Sequence, residues 1–289
     1  MKTYDDYIRA LDQLLQKAAL IPRGEWPNIP RPRLSKDAPR VLIFSPHPDD
    51  EVIISHLPLR LMRESKMQIS NVAVTLGSKK GRRKSRLKEL RNSCQFIGFD
   101  LVRIKNDGLE NINPHTRENY PQYWSYCVSL IASILDKNRP DIIFYPHVKD
   151  WHTTHIGTHY LVVDGLKSMG HKFSTYCIET ETWGFMNKPN LLVECKKKDI
   201  ADLITALSFH RGEIERNPYH LSIANRLIDN VMRGTELIKG QGTHPPSIQF
   251  ASLYKLKYWK AKQFHECQKE GNFLLAYDNP ANLFKHIKQ

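Results

Sequence analysis

The hydrophobic positions of this chain form short, mostly apolar runs that alternate with longer amphipathic stretches. The runs, rich in branched and aromatic side chains, are residues 41–45, 69–76, 101–104 and 141–146. The amphipathic stretches between them, with apolar side chains at helical spacing, are residues 52–62, 87–96 and 123–135. Mostly apolar runs of this length are typical of strands buried on both faces of a parallel sheet. The alternation therefore predicts an α/β fold with a Rossmann-like, open, mostly parallel sheet and helices on both faces.

The two ends of the chain depart from this alternation. Residues 4–19 predict an amphipathic helix, which we expect to pack on the domain or on a second subunit, with a membrane surface as the alternative. Residues 21–40 hold five prolines and predict an extended connector. We therefore divide the chain into an N-terminal helix and proline-rich connector (1–39), a main domain (40–253) and a basic, aromatic C-terminal extension packed on it (254–289).

The composition of the chain says more about its binding partners than about its fold. The chain has 289 residues and is 40% hydrophobic, which is enough to bury a full core. Its formal net charge of +13 indicates an anionic partner, such as a phosphorylated substrate, a nucleic acid or an acidic membrane. The five cysteines are dispersed, which favours reduced thiols and a cytoplasmic location. We find neither a signal-peptide pattern nor an apolar run near the roughly 20 residues of a membrane span.

Charged and imidazole side chains follow the first apolar run directly, in the sequence Pro46-His47-Pro48-Asp49-Asp50-Glu51. The prolines end the strand and stiffen the turn, and the carboxylates suit the N-terminus of a following helix. His47 and Asp50 stand three residues apart on this turn, so both can point at one metal ion. Asp49 then remains as a candidate general base.

A second cluster follows the run that ends at Pro146. Four histidines fall within thirteen residues, at positions 147, 152, 155 and 159. A helix that starts near Thr154 would place His155 and His159 on one face, with His152 beside its first turn. Because parallel strands deliver their carboxyl ends to one edge of the sheet, both clusters should meet. Two histidines and one carboxylate are a common ligand set of catalytic Zn²⁺, and the same set accepts Fe²⁺.

The most basic stretch of the chain, residues 77–86, follows the second run and should lie at the same edge of the sheet. We expect residues 79–86 of this loop, together with Arg91, to bind a phosphate or diphosphate on the sugar. A solvated surface loop without a ligand is the alternative interpretation.

These motifs resemble those of the LmbE-like, or PIG-L-like, family of zinc-dependent de-N-acetylases, which remove acetyl groups from N-acetylglucosamine-type sugars. Residues 46–51 are similar to the family's (A/P)HPDDE signature, and residues 150–155 are similar to its D-x-H-x-D-H element. Weaker matches to the family pattern occur at single residues, namely Gly77, Arg86, Glu89, Glu181, Trp183, His210, Gly242 and Phe250. The resemblance extends from about residue 40 to about residue 253.

The resemblance implies a role for each matching residue. His47, Asp50 and His155 would be the zinc ligands, Asp49 the general base, and His152 the group that stabilises the oxyanion. Thr154 departs from the family pattern, which carries an aspartate there, so the orientation of Asp49 or the pKa of His152 is expected to differ. The residues that we expect to bind substrate are Lys79, Arg82, Arg83, Arg86, Asp107, Asp150 and Trp151.

The function implied is a zinc-dependent hydrolase that removes the N-acetyl group from an acetylated amino sugar or its phosphate-, nucleotide- or lipid-linked conjugate. A zinc amidase with a non-sugar N-acyl substrate is one alternative, and a binding protein for nucleic acid or another anionic polymer is a second. If the protein is such an enzyme, we expect it to bind an anionic amino-sugar substrate and we do not expect it to bind a nucleic acid. Peripheral membrane contact and the oligomeric state stay open.

Overall fold

A computed structural model describes residues 1–267 and 271–285 and contains one nine-stranded sheet. The strands are β1 (Arg40–Ser45), β2 (Gln68–Ala73), β3 (Asp100–Arg103), β4 (Ile142–Pro146), β5 (Thr175–Thr180), β6 (Leu191–Glu194), β7 (Ala251–Lys260), β8 (Gln263–Glu266) and β9 (Asn272–Leu274). Their order is β3-β2-β1-β4-β5-β7-β6-β9, and β8 pairs with β7. The first five strands along this order are mutually parallel, whereas β7 is antiparallel to its neighbours. The predicted mostly parallel α/β sheet is confirmed.

Helices connect the strands. Their bounds are α1 (Tyr4–Ala19), α2 (Asp50–Ile53), α3 (His56–Ser65), α4 (Arg83–Ile97), α5 (Pro114–Asn119), α6 (Pro121–Asn138), α7 (Thr153–Ser168), α8 (Lys197–Leu207), α9 (Arg211–Ile214) and α10 (Ile223–Lys239). Alternate side chains of β1 point to opposite faces of the sheet, as the pleat of a strand requires. Val41 and Ile43 join one apolar cluster and Leu42 and Phe44 join the other, so β1 is buried on both sides.

The strand order places the carboxyl ends of β1 and β4 at the point where the chain changes direction along the sheet. From β1 the chain first adds β2 and β3 on one side and then crosses to add β4 on the other. In open α/β sheets the loops on the two sides of such a switch point diverge and leave a crevice for ligands. The two clusters of imidazoles and carboxylates follow β1 and β4.

The continuous helix predicted for residues 52–62 is wrong, because the chain forms α2 and α3 with a break at Ile54 and Ser55. Pro58 has no N–H, so it cannot donate the helical hydrogen bond to the carbonyl of Ile54. The Tyr254 hydroxyl donates to that carbonyl instead (2.7 Å) and accepts from the Leu57 N–H (3.2 Å). A side chain from β7 therefore satisfies the backbone groups that the break exposes.

The N-terminal helix forms as predicted, with a capping box between Thr3 and Asp6. The helix lies near the turn at Tyr219–Leu221, but none of its residues is buried. Tyr4 is 90% exposed and Leu14 is 62% exposed, so most of its apolar side faces solvent rather than the domain. In the described ranges 1–267 and 271–285, no helix is both long and apolar enough to cross a membrane.

The expected boundary between residues 253 and 254 lies inside β7. This strand pairs with β5 on one side and with β6 and β8 on the other. Tyr254, Leu256 and Trp259 are buried, while Lys257 forms an ion pair with Glu179 (2.7 Å). Residues 254–260 are therefore a central strand and not part of a terminal extension.

Candidate metal centre

The turns after β1 and β4 bring three ligand-type atoms into a small triangle. His47 Nδ1 lies 3.3 Å from His155 Nε2, and Asp50 Oδ2 lies 3.4 Å from the first and 3.3 Å from the second. The side chains of Asp50 and His155 are buried, and Asp50 Oδ1 has no hydrogen-bond partner among the described residues. Three lone-pair donors at such short mutual distances indicate a site built for a cation.

The triangle has the dimensions that Zn²⁺ requires. Zinc binds imidazole nitrogen at about 2.0–2.1 Å in tetrahedral geometry, so two of its ligand atoms lie about 3.3–3.4 Å apart. The three measured separations are 3.3, 3.3 and 3.4 Å. Burial alone would lower the pKa of His155, but the carboxylates of Asp50 and Asp150 raise it to about 10. The two carboxylates around His155 also favour a metal ion at this position, so the residues present fit the metal that the sequence predicts.

A wider group contains His152 with His47 and His155, whose ligand-type atoms all lie within 4.8 Å of one another. His152 caps α7, and its Nδ1 accepts the backbone N–H of Thr154 (3.3 Å). Burial and the neighbouring imidazoles lower the pKa of His152 to about 4, so its ring is neutral near pH 7. Because Nδ1 is the acceptor, the remaining proton lies on Nε2, which is then a hydrogen-bond donor. Asp50 and His152 are therefore the two candidates for the third ligand beside His47 and His155.

Asp150 lies behind His155 and not in the cavity where we expected it to bind substrate. Its side chain is buried, with Oδ2 3.4 Å from His155 Nδ1. The same carboxylate accepts the backbone N–H groups of His152 (2.9 Å) and Trp183 (3.2 Å). A carboxylate on the far nitrogen of a ligating histidine fixes the orientation of the ring and raises its basicity. Asp150 thus supplies a carboxylate behind the histidines, although Thr154 replaces the aspartate of the family pattern.

The replacement Asp150→Asn is expected to weaken metal binding about 10- to 100-fold, because the amide orients His155 without a charge. Competition between the protein and a chromogenic chelator for Zn²⁺ measures this affinity. Thr154→Ala is the matched control, since the described structure records no hydrogen bond of the Thr154 side chain and its backbone N–H is kept. Equal zinc affinity for Asp150→Asn and the wild type would contradict the role of this carboxylate.

Asp49 has a strained backbone that directs its carboxylate into the cavity beside the triangle. Its φ is 118°, a value that costs a residue with a side chain about 1–3 kcal/mol. The hydroxyl of Tyr219 donates to Oδ2 (2.6 Å), and no hydrogen bond to Oδ1 is recorded among the described residues. Burial and the adjacent Asp50 carboxylate raise the pKa of Asp49 to about 7. A carboxylate with a pKa in this range is suited to accept and return a proton at neutral pH.

Glu51 holds the Asp49 backbone in this conformation. Its Oε2 accepts the N–H of Asp49 (2.7 Å), and its Oε1 accepts from Ser93 Oγ (2.8 Å) and His210 Nε2 (2.7 Å). Both side chains of the Glu51–His210 pair are fully buried. Burial would lower the pKa of His210, but the charge of Glu51 raises it above the ordinary value of 6.5. The buried ion pair therefore supports the residue next to the metal triangle.

Glu51→Gln is expected to lower the free energy of unfolding by about 3–5 kcal/mol at pH 6, because His210 loses its buried counter-ion. The folded-state pKa of His210 is raised, so its charge stabilises the fold fully below pH 6.5 and loses this effect as pH rises through the folded-state value. Urea unfolding at several pH values should show the largest difference from wild type at the acidic end. Ser93→Ala removes an uncharged donor to the same carboxylate and should cost about 1.5–3 kcal/mol, without the pH dependence that His210 gives. A Glu51→Gln difference that grows with pH would contradict the ion pair.

A cavity of about 1060 Å³ opens above the triangle. His47, Asp49 and His152 line its floor, and Trp151 and Trp183 line it beside them with ring centroids 6.5 Å apart. The ring of Trp183 also meets that of Tyr219 at 5.3 Å, edge to face. The cavity is thus lined by polar groups on its floor and by aromatic rings on one wall. In this wall, Trp151 is 68% exposed to solvent.

The basic loop contributes fewer free cations than its sequence suggests. Lys80, Arg83 and Arg86 line the cavity, whereas Lys79 and Arg82 are not among its lining residues. Arg82 Nη1 pairs with Glu213 (2.9 Å), and Arg83 pairs with Glu110. Arg216 also lines the cavity, and Asp107 lines an adjoining one. The carboxylates of Asp49, Glu110 and Glu213 line the same cavity, so its four cations are partly but not fully balanced.

Sequence patterns did not indicate several groups at the site. Tyr219 lies in a short turn 170 positions from Asp49, and no motif surrounds it. Glu213 and Arg216 come from α9 and the turn that follows it. His159, grouped with His155 by helical spacing, instead faces the Pro146 carbonyl (2.9 Å) and is not part of the metal-type group.

Comparison with known proteins identifies both a family domain and a fold. The family model PIG-L, GlcNAc-PI de-N-acetylase, matches residues 42–166, and this confirms the resemblance over that part of the chain. No curated protein matches the sequence.

Solved structures with a similar fold include enzymes of two reaction types. The N,N'-diacetylchitobiose deacetylase of Pyrococcus horikoshii is 16% identical, with a TM-score of 0.55 over 89% of this chain and 93% of that one. The teicoplanin deacetylase Orf2, in a zinc-inhibited form, is 13% identical, with a TM-score of 0.54 over 76% and 98%. The 4-carboxy-2-hydroxymuconate hydratase of Pseudomonas putida is 11% identical, with a TM-score of 0.56 over 75% and 95%. At these identities the likeness shows the fold alone, so function has to be argued from the site.

Proposed function

We propose that this chain, whose residues 42–166 match the PIG-L family model, is a metal-dependent hydrolase that removes the N-acetyl group from an acetylated amino sugar. The observation that carries the proposal is the ligand triangle of His47, Asp50 and His155 with the Asp49 carboxylate directly beside it. These three residues would hold a metal, which with only three protein ligands would keep a position for water, as catalytic zinc sites do. The matched family and the fold agree with this chemistry.

The three triangle residues would hold the metal, and Asp49 would handle the proton. When bound, Zn²⁺ or Fe²⁺ supplies a Lewis acid that lowers the pKa of water and polarises the acetyl carbonyl. Tyr219 fixes one oxygen of Asp49, so the other is free to take a proton from the attacking water. As the bond from the acetyl carbon to nitrogen breaks, Asp49 returns this proton to the leaving amine. The products are acetate and the free amino sugar.

His152 would stabilise the negative charge that develops on the acetyl oxygen. Its neutral ring keeps a proton on Nε2, because Nδ1 accepts the Thr154 N–H. The backbone therefore orients this imidazole before substrate arrives. Donors oriented in advance stabilise a developing oxyanion best, because they need no reorganisation during the reaction.

The aromatic wall and the paired charges support a sugar over the other candidates. The faces of Trp151 and Trp183 can pack against the apolar face of a sugar ring, beside the polar floor. The expected phosphate site on the loop is less supported, since Arg82 and Arg83 already contact carboxylates. The same pairing leaves fewer free cations for the phosphate backbone of a nucleic acid.

Mass spectrometry of a substrate panel tests the proposal. The panel contains N-acetylglucosamine, its oligomers, nucleotide-linked N-acetylhexosamines and non-sugar N-acetyl amines, each incubated with zinc-loaded protein. We expect loss of one acetyl group from sugars and not from the non-sugar amides. Turnover of the non-sugar amides alone would favour the amidase alternative, and no turnover of any acetylated compound would contradict the hydrolase.

A further inference from the structure

The peptide unit between Pro48 and Asp49 is held at both of its polar groups. Arg86 Nη2 donates to the Pro48 carbonyl (3.1 Å), and the Asp49 N–H donates to Glu51 Oε2 (2.7 Å). Because a peptide unit is planar and its carbonyl and N–H point in opposite directions, these two contacts fix the orientation of the whole plane. Glu51 lies at the start of α2, whereas Arg86 reaches the turn from α4.

The peptide unit on the other side of Asp49 is held as well. The Asp49 carbonyl accepts the N–H groups of Val52 (3.2 Å) and Ile53 (3.3 Å). Both planes that meet at the Asp49 Cα are therefore fixed, so the φ of 118° cannot relax by rotation of either plane. Strained values of this kind persist only where the surroundings hold the backbone from several sides. Of these backbone contacts, only the one from Arg86 comes from outside the segment 46–53.

The guanidinium group of Arg86 lies in a space that depends on the absence of a side chain at position 77. A Cβ atom added to Gly77 would lie 2.1 Å from Arg86 Nη1, far inside van der Waals contact. Arg86 Nε lies 3.7 Å from Glu213 Oε1, which is too long for a hydrogen bond. The hydrogen bond recorded for this side chain is the one to the Pro48 carbonyl. Arg86 lines the cavity, but its recorded polar contacts are directed at the turn that carries Asp49 and at Glu213.

We propose that Arg86 is a positioning residue, which holds the strained Asp49 backbone through the Pro48 carbonyl and so aligns the Asp49 carboxylate with the metal triangle. Gly77 belongs to the same arrangement, because it leaves the space that the guanidinium group occupies. This inference rests on the proposed function, in which Asp49 takes the proton of the attacking water. It differs from the sequence-based expectation, which assigned Arg86 to substrate binding, and the two roles predict different kinetics.

Arg86→Met tests the proposal, because methionine fills much of the same space without a hydrogen-bond donor. The substrate is N-acetylglucosamine, or whichever sugar of the substrate panel wild type deacetylates fastest. We expect kcat for acetate release to fall about 10- to 100-fold, since a displaced general base no longer meets the attacking water in the right geometry. KM should change by less than about twofold, because the variant loses no contact with the substrate, and the zinc content should equal that of wild type. A raised KM at unchanged kcat would assign Arg86 to substrate binding and overturn the proposal.

Gly77→Ala moves the same guanidinium group without removing it. The added methyl group should displace Arg86 and lower kcat to a similar extent, and it should add no further loss to Arg86→Met, where no guanidinium group remains. Gly240→Ala is the matched control, because Gly240 also has a positive φ (105°, against 85° at Gly77) but a Cβ atom there meets nothing within 4 Å. It should strain the backbone and leave kcat unchanged. Losses of kcat that multiply in the double variant, or an equal loss in Gly240→Ala, would contradict the proposal.

Crystal structures of the variants give a readout that does not depend on turnover. In Arg86→Met, or in Gly77→Ala if the first variant fails to fold, the φ of Asp49 should leave its value of 118°. The hydrogen bond from Tyr219 to Asp49 (2.6 Å) should lengthen or break with it. An unchanged Asp49 in both variants would overturn the proposal whatever the kinetics.

The same structures separate this proposal from the hydrolase proposal on which it rests. A relaxed Asp49 in the variants, together with no acetate release by wild type, would support the role of Arg86 in holding the turn and refute the hydrolase. An unchanged Asp49, together with zinc-dependent acetate release by wild type, would support the hydrolase and refute the role of Arg86.

Discussion

Asp49→Asn is expected to lower kcat for deacetylation by about 100- to 10,000-fold while one metal ion stays bound. Asparagine has the shape of aspartate and tolerates positive φ better than most residues, so the strained turn should persist. It can still accept from Tyr219, but it cannot take the proton of the attacking water. Steady-state kinetics give kcat, and inductively coupled plasma mass spectrometry gives the metal content.

The metal content is the internal control of this experiment. Asp49 lies outside the triangle of His47, Asp50 and His155, so the variant should bind as much zinc as the wild type. Wild-type kcat in Asp49→Asn would rule out a general base at this position. Loss of both metal and activity would instead place Asp49 among the ligands.

Asp50→Asn should release the metal, and it should lower activity at least as far as Asp49→Asn does. Its Oδ2 is within 3.4 Å of both imidazole nitrogens of the triangle, and a neutral amide is a poor substitute for a carboxylate toward Zn²⁺. The loss of zinc affinity should exceed the roughly 10- to 100-fold expected for Asp150→Asn, because Asp150 acts only through His155. Competition with a chelator measures the affinity, and circular dichroism checks that the variant folds.

His152→Ala is the matched control, because His152 belongs to the wider group of imidazoles. If His152 only donates to the oxyanion, the variant should keep its zinc affinity and lose about 100- to 1000-fold in kcat. The opposite result, in which His152→Ala loses zinc and Asp50→Asn retains it, would show that the three histidines are the ligands.

Much of the fold and of the site centre followed from local sequence. The uncharged run 41–45 indicated a strand buried on both faces, and the structure shows its alternate residues in two apolar clusters. The convergence of the two clusters that hold His47, Asp50 and His155 followed from one rule, that parallel strands end at the same edge of a sheet. These predictions succeeded because each depends on residues that are adjacent in sequence or on a general property of parallel sheets.

Features that depend on distant partners could not be predicted. The Tyr219 hydroxyl reaches Asp49 across 170 positions, and the partners of Arg82 and Arg83 lie on α9 and on the segment after β3. The C-terminal aromatic residues looked like a surface extension, yet β7 returns antiparallel between β5 and β6. Local patterns do not specify which distant element a side chain or strand will contact.

We propose that the triangle of His47, Asp50 and His155 holds the metal that deacetylation requires. Titration of metal-free protein with Zn²⁺ tests it most directly, with acetate release from an acetylated amino sugar as the readout. The account predicts no activity without metal and a linear rise that stops at one equivalent, with no rise in Asp50→Asn. Acetate release that is independent of metal, or equal in the two proteins, would contradict it.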